Sequence, residues 1–470
     1  MIIVILALLT IVASTLMVFP LFLQSIYYIA YKTRGGQYWK SNGIHDFNGE
    51  LPKLTVVIPT RNEDPKVIVK TLNSIFNDDY PKERLEIIIV SDDDPENYEK
   101  LKSEIERSIK DESLNVKLLW REVHRGYKAG ALNYSLKFAS GDYVVILDSD
   151  SQVERGYFKS IVGVLHGGER NVAISYWKAS NSDATLLSKA IAMGQDFLFK
   201  TLFIGRSLVA RNMAIVGSGC GFHKKTLIEN PWCEECLLED VELGLRLSLK
   251  GYNIKLLSDK HLRLTVPTSY DALKVQQIRW SNGAGQLLRL RFKQVLRSNM
   301  STFRKLEHIA YLLSYSAPLG QLLTTTLLAC GVLLGYYTLA IIPLLFVTVI
   351  STFYSLCFLD SCVKEGLRLT ESIRILGRIS GVTTSLTPIL ALSFAKGLLG
   401  RKVYWKVTPK GKHVTSLNLS KFVHEMIYIA FSIVFLVLAI LANASMDSIW
   451  FLMQILPYIY LFRMIIGRKL

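Results

Sequence analysis

Long stretches without a charged side chain, at both ends of the chain, constrain the fold more than any other feature. Met1–Tyr31 and Ile309–Leu359 contain no charged residue. A helix needs about 20 residues to cross the apolar core of a bilayer, so the first stretch is long enough for one span and the second for two. Met426–Leu441 and Ser448–Phe462 predict another pair. The first stretch lacks a basic leader, which favours a retained anchor over a cleaved signal peptide.

The distribution of basic residues predicts how the chain lies in a membrane. The net charge is +16, and the excess lies in segments such as 364–378 and 396–412. The loops near Gly335-Tyr336 and Asn443–Asp447 carry no Lys or Arg. This asymmetry is typical of a multi-pass protein whose basic loops are cytoplasmic, and no nucleic-acid motif accompanies the charge. We therefore expect a plasma-membrane protein with a cytoplasmic catalytic part and no nucleic-acid partner.

One apolar segment, Ile379–Ala395, is interrupted by Gly381 and Pro388. If it crossed the bilayer, the basic segment Arg401–Lys412 would lie outside, against the charge rule. We therefore predict an interfacial or re-entrant segment and five spans in total. The expected divisions are an N-terminal transmembrane helix (1–32), a soluble domain (50–300), and a C-terminal transmembrane region (305–470) whose loop 401–412 follows the interfacial segment.

The middle of the chain alternates between strand and helix signals. The predicted strands are Leu54–Thr60, Leu85–Val90, Val116–Trp120 and Asp142–Leu147, and the predicted helices are Pro65–Asn77, with Asp64 as its N-cap, and Ala129–Ala139. Such alternation builds a mostly parallel α/β sheet that is covered by helices on both faces. Ligands of these sheets bind at the carboxyl ends of the strands.

Acidic clusters lie at these strand ends. Asp92-Asp93-Asp94 follows the second strand, and Asp148-x-Asp150 follows the fourth. Carboxylate oxygens suit Mg²⁺ or Mn²⁺, although paired aspartates are also common in solvated turns. No Gly-x-Gly-x-x-Gly follows the first strand, which disfavours a dehydrogenase.

Two further motifs lie downstream. Glu239-Asp240 opens an amphipathic helix, where the helix dipole alone also favours acids. In Gln276-x-x-Arg279-Trp280, Gln276 and Arg279 share a helix face, and an Arg fork suits a diphosphate. Trp280 offers a face for a sugar ring, but Trp is also a common membrane anchor.

The cysteines give a weaker signal. Cys233-Glu-Glu-Cys236 has the spacing of metal ligands, but no second pair or His cluster completes a zinc site. A disulfide is not expected in a cytosolic domain, so we predict free thiols.

The order of the acidic clusters, the Gln-x-x-Arg-Trp element and the membrane helices resembles that of processive family 2 glycosyltransferases over residues 50–412. That group includes cellulose, chitin and hyaluronan synthases, with glucosylceramide synthase as a lipid-glycosylating relative. The resemblance implies a GT-A-like (Rossmann-like) domain that transfers a sugar, with inversion, from a UDP- or GDP-sugar in the presence of Mg²⁺ or Mn²⁺.

The resemblance also implies roles for individual residues. The catalytic base is Asp240, beside Glu239. The donor contacts are Asp92 (with Asp93 next), Lys128, Asp148, Gln276, Arg279, Thr408 and Lys410. The acceptor contacts are Trp280, Cys220 and Gly219, and the metal ligands are Asp150 and Asp148. Thr408 and Lys410 belong to a segment similar to the gating loop of cellulose-synthase-like enzymes, although any cytoplasmic loop of such a protein is basic.

The acceptor is the least constrained part of this interpretation. The motifs favour a growing polysaccharide that is exported across the membrane. A membrane lipid is the alternative, which the single expected N-terminal span favours, since fewer helices leave less wall for a channel. An alternative of another class is a non-catalytic membrane protein that binds sugar or lipid.

Overall fold

The computed structural model of the chain describes residues 1–41, 50–109, 115–401 and 419–466. Its strands are β1 (Leu54–Thr60), β2 (Leu85–Ser91), β3 (Asn115–Trp120), β4 (Tyr143–Ile146), β5 (Gln152–Val153), β6 (Asn171–Ala179), β7 (Cys220–His223) and β8 (Asn253–Leu264). The helices before the last strand are α1 (Ile2–Ser41), α2 (Pro65–Phe76), α3 (Pro95–Ser108), α4 (Tyr127–Ser135), α5 (Tyr157–His166), α6 (Leu186–Leu198), α7 (Arg206–Ala210), α8 (Lys224–Glu229) and α9 (Glu239–Leu249). The later helices are α10 (Tyr270–Arg297), α11 (Thr302–Leu312), α12 (Ala317–Leu333), α13 (Ile341–Lys364), α14 (Leu369–Ser385), α15 (Thr387–Leu398), α16 (Val423–Leu441) and α17 (Ser445–Ile466).

The strands form one sheet with the order β3-β2-β1-β4-β7-β6-β8-β5. β1 pairs in parallel with β2 and β4, and β2 with β3, as the alternation of strands and helices predicts. The remaining half is mixed, because β7 runs antiparallel to β4 and β6, while β6 and β8 are parallel. The predicted α/β sheet is thus confirmed, and the mixed half is an addition to it.

The sheet has a hydrophobic core on each face. Along β1, Val57 packs into one cluster with Ile88, whereas Val56 packs into the other with Ile87. All four side chains are buried. Successive residues of a strand point to opposite faces, so a continuous apolar strand must be covered on both sides.

The ends of the helices follow from local chemistry. Asp64 accepts a hydrogen bond from the Lys66 amide (2.9 Å) at the start of α2, as predicted. Asp94 caps α3 in the same way through the Asn97 amide (3.0 Å). Gly251 follows the end of α9 with a φ of +79°, a conformation that favours glycine.

The N-terminal helix α1 continues past residue 32 to Ser41 and packs against the sheet domain. Its Tyr27 hydroxyl donates to Glu307 Oε1 (2.9 Å), and its Tyr38 hydroxyl accepts from the Leu256 amide of β8 (3.4 Å). Gly205 lies against the Tyr27 carbonyl so closely that a Cβ there would be 2.0 Å from the oxygen. Helix α1 and the sheet domain are therefore joined by direct contacts.

Among the residues described, five helical segments are long and apolar enough to cross a membrane. They are Ile2–Trp39, Thr302–Leu333, Ile341–Lys364, Ser420–Leu441 and Ser445–Ile466. α14 and α15 pass the same test only as a pair, and they are bent by 55° at their junction, which fits either a broken span or a re-entrant loop. The count of about five spans agrees with the prediction.

The bent pair lies against the sheet domain, since α15 packs along α10. A Cβ at Gly285 would be 2.3 Å from the Phe394 carbonyl oxygen, and one at Gly397 would be 2.0 Å from the Asn282 carbonyl oxygen. Asn282 also donates to the Ser393 carbonyl (2.9 Å). This packing is compatible with the predicted interfacial position of 379–395, which stays a prediction.

Candidate active site

The two acids predicted to include the base lie at the start of α9. Glu239 and Asp240 are its first residues, and the Asp240 carboxylate accepts a hydrogen bond from the Val241 amide (2.8 Å). Glu242, in the same turn, is fully buried and forms ion pairs with Arg246 (2.8 Å) and with Arg291 of α10 (2.5 Å). The ion pair between Glu242 and Arg291 fixes α9 against α10.

Burial changes the acidity of both carboxyl groups. It is the main cause that raises the pKa of Glu239 to about 7, and the negative charge of Asp240 adds to the shift. Burial likewise raises the pKa of Asp240, against the opposing effect of the nearby Lys128 and Arg279 charges. A pair of coupled carboxyls with raised pKa values is suited to accept a proton near neutral pH.

Lys128, on α4, connects the acids of two different loops. Its ammonium group lies 2.6 Å from Asp148 Oδ1, 3.9 Å from Glu239 Oε1, and donates to the Gly217 carbonyl at 2.7 Å. Burial alone would lower the pKa of Lys128, but the charges of Asp148 and Glu239 outweigh that effect and raise it. The lysine is therefore a largely buried, charged side chain that links the acids of two loops.

Gly217 lies between these groups. A Cβ at this position would be 3.1 Å from Asp240 Oδ2 and 3.3 Å from Lys128 Nζ. A side chain at this position would therefore crowd Asp240 and Lys128. Beside it lies a small pocket that is lined in part by Glu239, Asp240 and Cys220.

The predicted metal ligands come directly after β4. The side chain of Asp148 is about one-third exposed, and its amide donates to Ser218 Oγ (2.8 Å). Asp150 is buried, and its Oδ2 accepts hydrogen bonds from the amide (3.3 Å) and the hydroxyl of Thr265. Both carboxylates therefore lie at the carboxyl edge of the sheet, and Asp148 is in direct contact with Lys128.

The donor set of this turn fits a divalent cation. In the described parts of the chain, no group of three His, Cys, Asp or Glu residues is arranged to hold a metal. Mg²⁺ typically takes one or two protein carboxylates and completes its shell with substrate phosphates and water. Asp148 and Asp150 could supply such a pair, so the residues fit a metal that shares a diphosphate.

The three consecutive aspartates Asp92, Asp93 and Asp94 each make different contacts. Asp92 forms a two-point ion pair with Arg121, with Nε to Oδ1 at 2.6 Å and Nη2 to Oδ2 at 2.5 Å. Asp93 accepts from Ser91 Oγ (2.8 Å) and from the Asn62 amide, and Asp94 caps α3. Asp92 and Asp93 are both buried, and their predicted nucleotide contacts remain predictions.

Arg121 is a residue that the sequence reasoning missed. Besides Asp92, it binds the carbonyls of Arg125 (3.2 Å) and Tyr127 (3.1 Å), and so fixes the loop that leads into α4 and Lys128. The signal was its position directly after β3, at the same sheet edge as the acids.

The Gln-x-x-Arg-Trp element lies on α10, as predicted for a helix. Gln276, Arg279 and Trp280 are half-buried. The positive charge of Arg279 acts on both Glu239 and Asp240, which places it in the same electrostatic site. The donor role of Gln276 and the acceptor role of Trp280 remain predictions.

The predicted acceptor loop contains one strained glycine and one buried thiol. Gly219 has a φ of +75°, and a Cβ there would be 2.9 Å from Ser175, so only glycine fits well. Cys220 is buried and donates to the Val216 carbonyl. Burial raises the pKa of this thiol, which keeps it neutral. Its predicted acceptor contact remains a prediction.

Two other expectations have different outcomes. Thr408 and Lys410, with most of the loop 401–412, lie outside the described residues. The expectation of free thiols at Cys233 and Cys236 is wrong, because the structure joins them in a disulfide. The turn between them brings their Cα atoms to 5.4 Å, a separation that a disulfide spans, and local geometry therefore prevails over the argument from compartment.

Comparison with protein families gives two matches. The family described as "Glycosyl transferase family 2" matches residues 55–230, and the one described as "Glycosyl transferase family group 2" matches residues 143–359. The first region contains Asp92, Lys128, Asp148 and Asp150. The second contains Asp240 and the Gln-x-x-Arg-Trp element.

Individual proteins resemble the chain over different lengths. A probable glycosyltransferase of Sulfolobus acidocaldarius is 28% identical over 419 residues, which cover 87% of this chain and 89% of the relative. Glucomannan 4-beta-mannosyltransferase 1 of Oryza sativa subsp. japonica is 26% identical over 172 residues, which cover 36% of this chain and 33% of the relative.

A solved structure of similar shape is a mannosyltransferase from Pyrobaculum calidifontis in complex with GDP-Man and Mn²⁺. It superposes with a TM-score of 0.56 at 18% identity and covers 84% of this chain and 100% of that chain. At this identity the likeness concerns the fold, and it confirms the predicted GT-A-like domain.

Proposed function

We propose that this chain, a glycosyltransferase with family 2 domains, moves a hexose from a nucleotide-diphosphate sugar to an acceptor hydroxyl at the membrane, with inversion at the anomeric carbon. The observation that carries the proposal is the convergence of Asp148, Glu239 and Asp240 on one largely buried cation, Lys128. Acids and a cation on separate loops at one sheet edge suit a reaction in which a proton is removed and a diphosphate departs.

The side chains have distinct tasks in this reaction. Asp240 takes the proton of the acceptor hydroxyl, whose oxygen attacks the anomeric carbon while the bond to the diphosphate breaks. Lys128 and Arg279 supply positive charge for the departing diphosphate, which leaves with the bonding electrons. Asp148 and Asp150 would hold a divalent cation that neutralises this leaving group when it is bound.

The donor that we propose to test first is GDP-mannose. The rice relative is named as a mannosyltransferase, and the structural neighbour was solved with GDP-Man. UDP-sugars are tested beside GDP-mannose, because no contact among the described residues identifies the nucleotide base or the sugar. The hydroxyl groups that distinguish hexoses would be read by contacts that form only when the donor is bound.

The proposed acceptor is a growing polysaccharide, made on the cytoplasmic side of the plasma membrane by a membrane-integrated, synthase-like enzyme. The glucomannan name of the rice relative and the Gln276-x-x-Arg279-Trp280 element support it. A membrane lipid is the second candidate. A small, mainly apolar pocket beside α1, lined by Pro20, Leu23 and other residues, favours it.

The test incubates purified protein with Mn²⁺ and a panel of radiolabelled GDP- and UDP-sugars, and sizes the product. Asp240→Asn should lower transfer by about 10²–10⁴-fold, the usual contribution of a general base, while nucleotide binding is retained. A ladder or high-mass polymer supports processive synthesis, and a single organic-soluble glycolipid supports the lipid acceptor. Release of nucleoside diphosphate from no donor at all, with or without Mn²⁺, would show the non-catalytic alternative to be correct.

A further inference from the structure

The turn that precedes the acid pair of α9 is closed by a disulfide. Cys233 and Cys236 are joined across it, and the Cys236 amide donates to the Cys233 carbonyl at 3.2 Å. Glu239 and Asp240 follow directly after the short link 237–238. Trp232, next to Cys233, lines the same small pocket as both acids. The disulfide therefore constrains the backbone that leads into the first turn of α9.

One side of this turn is held against α4, the helix of Lys128. The side-chain amide of Asn133 donates to the Glu234 carboxylate (3.0 Å) and to the Trp232 carbonyl (3.0 Å). The side-chain oxygen of Asn133 accepts from the Trp232 amide (2.9 Å). Glu234 also lies over Gly126, at the start of α4, where a Cβ would be 2.7 Å from the Glu234 side chain. The turn thus contacts the part of α4 that positions the cation.

The other side of the turn is held against α10, the helix of the Gln-x-x-Arg-Trp element. The Gln286 side chain accepts from the Leu237 amide (3.0 Å) and donates to the Glu235 carbonyl (2.8 Å). Leu238 packs so closely on Gly283 that a Cβ there would be 2.5 Å from Cγ of the leucine. The closed turn therefore lies between the two helices that carry the positive charges of the site, and it continues into the acids.

The two cysteines differ in burial. Cys236 is buried, whereas Cys233 is partly exposed. Thiol–disulfide exchange requires that an incoming thiolate reach one of the two sulfurs, and Cys-x-x-Cys is the spacing of many redox-active pairs. The turn belongs to the sheet domain, for which we expect a cytoplasmic location. Disulfides of cytosolic proteins are usually transient and serve catalysis or redox sensing.

We propose that Cys233 and Cys236 form a thiol–disulfide exchange site whose partner is a dithiol, and that the bonded form holds Glu239 and Asp240 in their working position. The bond is a reversible modification that goes beyond sugar transfer. Its effect on the rate of transfer rests on the proposed function, whereas its effect on the start of α9 does not.

The exchange proceeds in two steps. A thiolate of the dithiol attacks Sγ of Cys233, the bond between the cysteines breaks, and Cys236 leaves as a thiolate. The second thiolate of the dithiol then attacks the sulfur of its own molecule in the mixed disulfide, which releases Cys233. Two electrons pass to the cysteine pair, the two protons of the dithiol reach the new thiols by way of water, and the dithiol leaves as its disulfide.

The test equilibrates purified full-length protein with reduced and with oxidised dithiothreitol. Alkylation and mass spectrometry count the free thiols at positions 233 and 236, and hydrogen exchange follows the peptide 231–249. Reduction should expose two thiols, speed amide exchange at the first turn of α9, and lower transfer at least about tenfold, since displacement of a catalytic group by about 1 Å can cost about 100-fold. Re-oxidation should restore all three.

Two variants serve as controls. The double variant Cys233→Ser with Cys236→Ser cannot form the bond, and it should show the lower rate at every ratio of reduced to oxidised dithiothreitol. Cys330→Ser removes an exposed free thiol and should keep the full response of wild type. If the double variant does not fold, reduction of wild-type protein that is already folded gives the same comparison.

Four results would overturn the inference. The pair could remain open to alkylation in oxidised dithiothreitol, or reduction could change neither amide exchange nor rate. The double variant could respond to reductant as strongly as wild type. A loss that re-oxidation does not restore would show a permanent structural bond. If wild-type protein transfers sugar from no donor, the proposed function fails, but the thiol count and the exchange at α9 still test the inference, so the two failures are distinct.

Discussion

The ammonium group of Lys128 lies 2.6 Å from Oδ1 of Asp148. This ion pair joins the start of α4 to the turn after β4, and the same ammonium group reaches the acids of α9 through Glu239. The contact gives the site one cation among several carboxylates. Its removal should therefore affect donor binding and the acidity of the base together.

Lys128→Met should raise the donor KM and shift the pH dependence of transfer to higher pH. Without the lysine charge, the pKa values of Glu239 and Asp240 rise further, so the base accepts a proton from solvent over a wider range. The pH profile of kcat/KM and the titration of GDP binding measure the two effects. Lys128→Arg keeps the charge and should give the smaller shift; an unchanged profile in Lys128→Met would contradict the prediction.

The rate of transfer should rise with pH up to about 7 and then level off. Glu239 has a pKa raised to about 7, and the pKa of Asp240 is raised by burial, so the pair holds a proton at lower pH and the base is blocked. Glu239→Gln removes one charge of the coupled pair and should move the rise to lower pH. The measurement is kcat against pH from 5 to 9, at saturating donor, on both proteins.

The raised pKa of Glu239 should also make the folded protein less stable as the pH rises, whereas the rate of transfer increases. A carboxyl whose pKa is raised from 4.5 to about 7 on folding contributes stability that is fully present below pH 4.5 and is lost as pH rises to about 7. The apparent Tm of wild type should therefore fall over this range relative to that of Glu239→Gln. Parallel curves for the two proteins would show that Glu239 is ionised throughout.

The sequence predicted the parallel half of the sheet well, for reasons that are local. The strand Leu54–Thr60 is a continuous apolar run, and Asp64 with Pro65 marks the next helix by its capping chemistry. Ligand-binding groups of such sheets lie at the carboxyl ends of the strands, and this rule alone predicted that Asp92 and Asp148 share one edge of the sheet. These inferences need no knowledge of distant contacts.

The mixed half of the sheet and the partners within the site could not be predicted in this way. β7 lies between β4 and β6 by pairings across tens of residues, which no local pattern encodes. The same holds for Arg121, whose partner Asp92 is 29 positions away in the chain. The prediction of free thiols at Cys233 and Cys236 was wrong for a different reason. It relied on the rule that cytosolic proteins rarely form disulfides, and it did not consider that the turn brings the two residues within bonding distance.

Asp150→Asn should weaken metal binding more than it weakens nucleotide binding in the absence of metal. Loss of a group that only supports a metal ligand commonly lowers metal affinity by about 10–100-fold, so loss of a ligand should lower it at least as much. Thr265→Val is the matched control, because it removes the hydroxyl that donates to Asp150 and leaves the carboxylate. Mn²⁺ titration of GDP binding by calorimetry, before and after treatment with a chelator, measures the affinity. Identical Mn²⁺ dependence in Asp150→Asn and wild type would exclude this residue as a ligand.

The proposed topology predicts which surfaces a membrane-impermeant thiol reagent can reach in intact cells. Lys225→Cys in the sheet domain should be protected, and Tyr337→Cys in the loop between α12 and α13 should react, since both native side chains are exposed. Cys330 is exposed and is replaced by Ser in both proteins to remove background. Permeabilised cells should label both positions, and reaction at position 225 in intact cells would reverse the orientation.

The helix that carries Arg279 and Trp280 should depend on a buried ion pair with the membrane region. Lys274 Nζ lies 2.5 Å from Glu425 Oε1 on α16, Glu425 is fully buried, and the Tyr270 hydroxyl donates to the same oxygen at 3.0 Å. Removal of one partner leaves an uncompensated buried charge, which costs about 3–5 kcal/mol. Glu425→Gln and Lys274→Met should each lower the inactivation temperature strongly.

The neighbouring pair Lys421–Asp271 supplies the control for this prediction. It joins the same two regions at 2.7 Å but is partly exposed, so Asp271→Asn should cost less than about 1 kcal/mol. The double variant Lys274→Met with Glu425→Gln should recover part of the loss of either single variant, because no lone buried charge remains. Strictly additive losses would show that the two side chains act independently of each other.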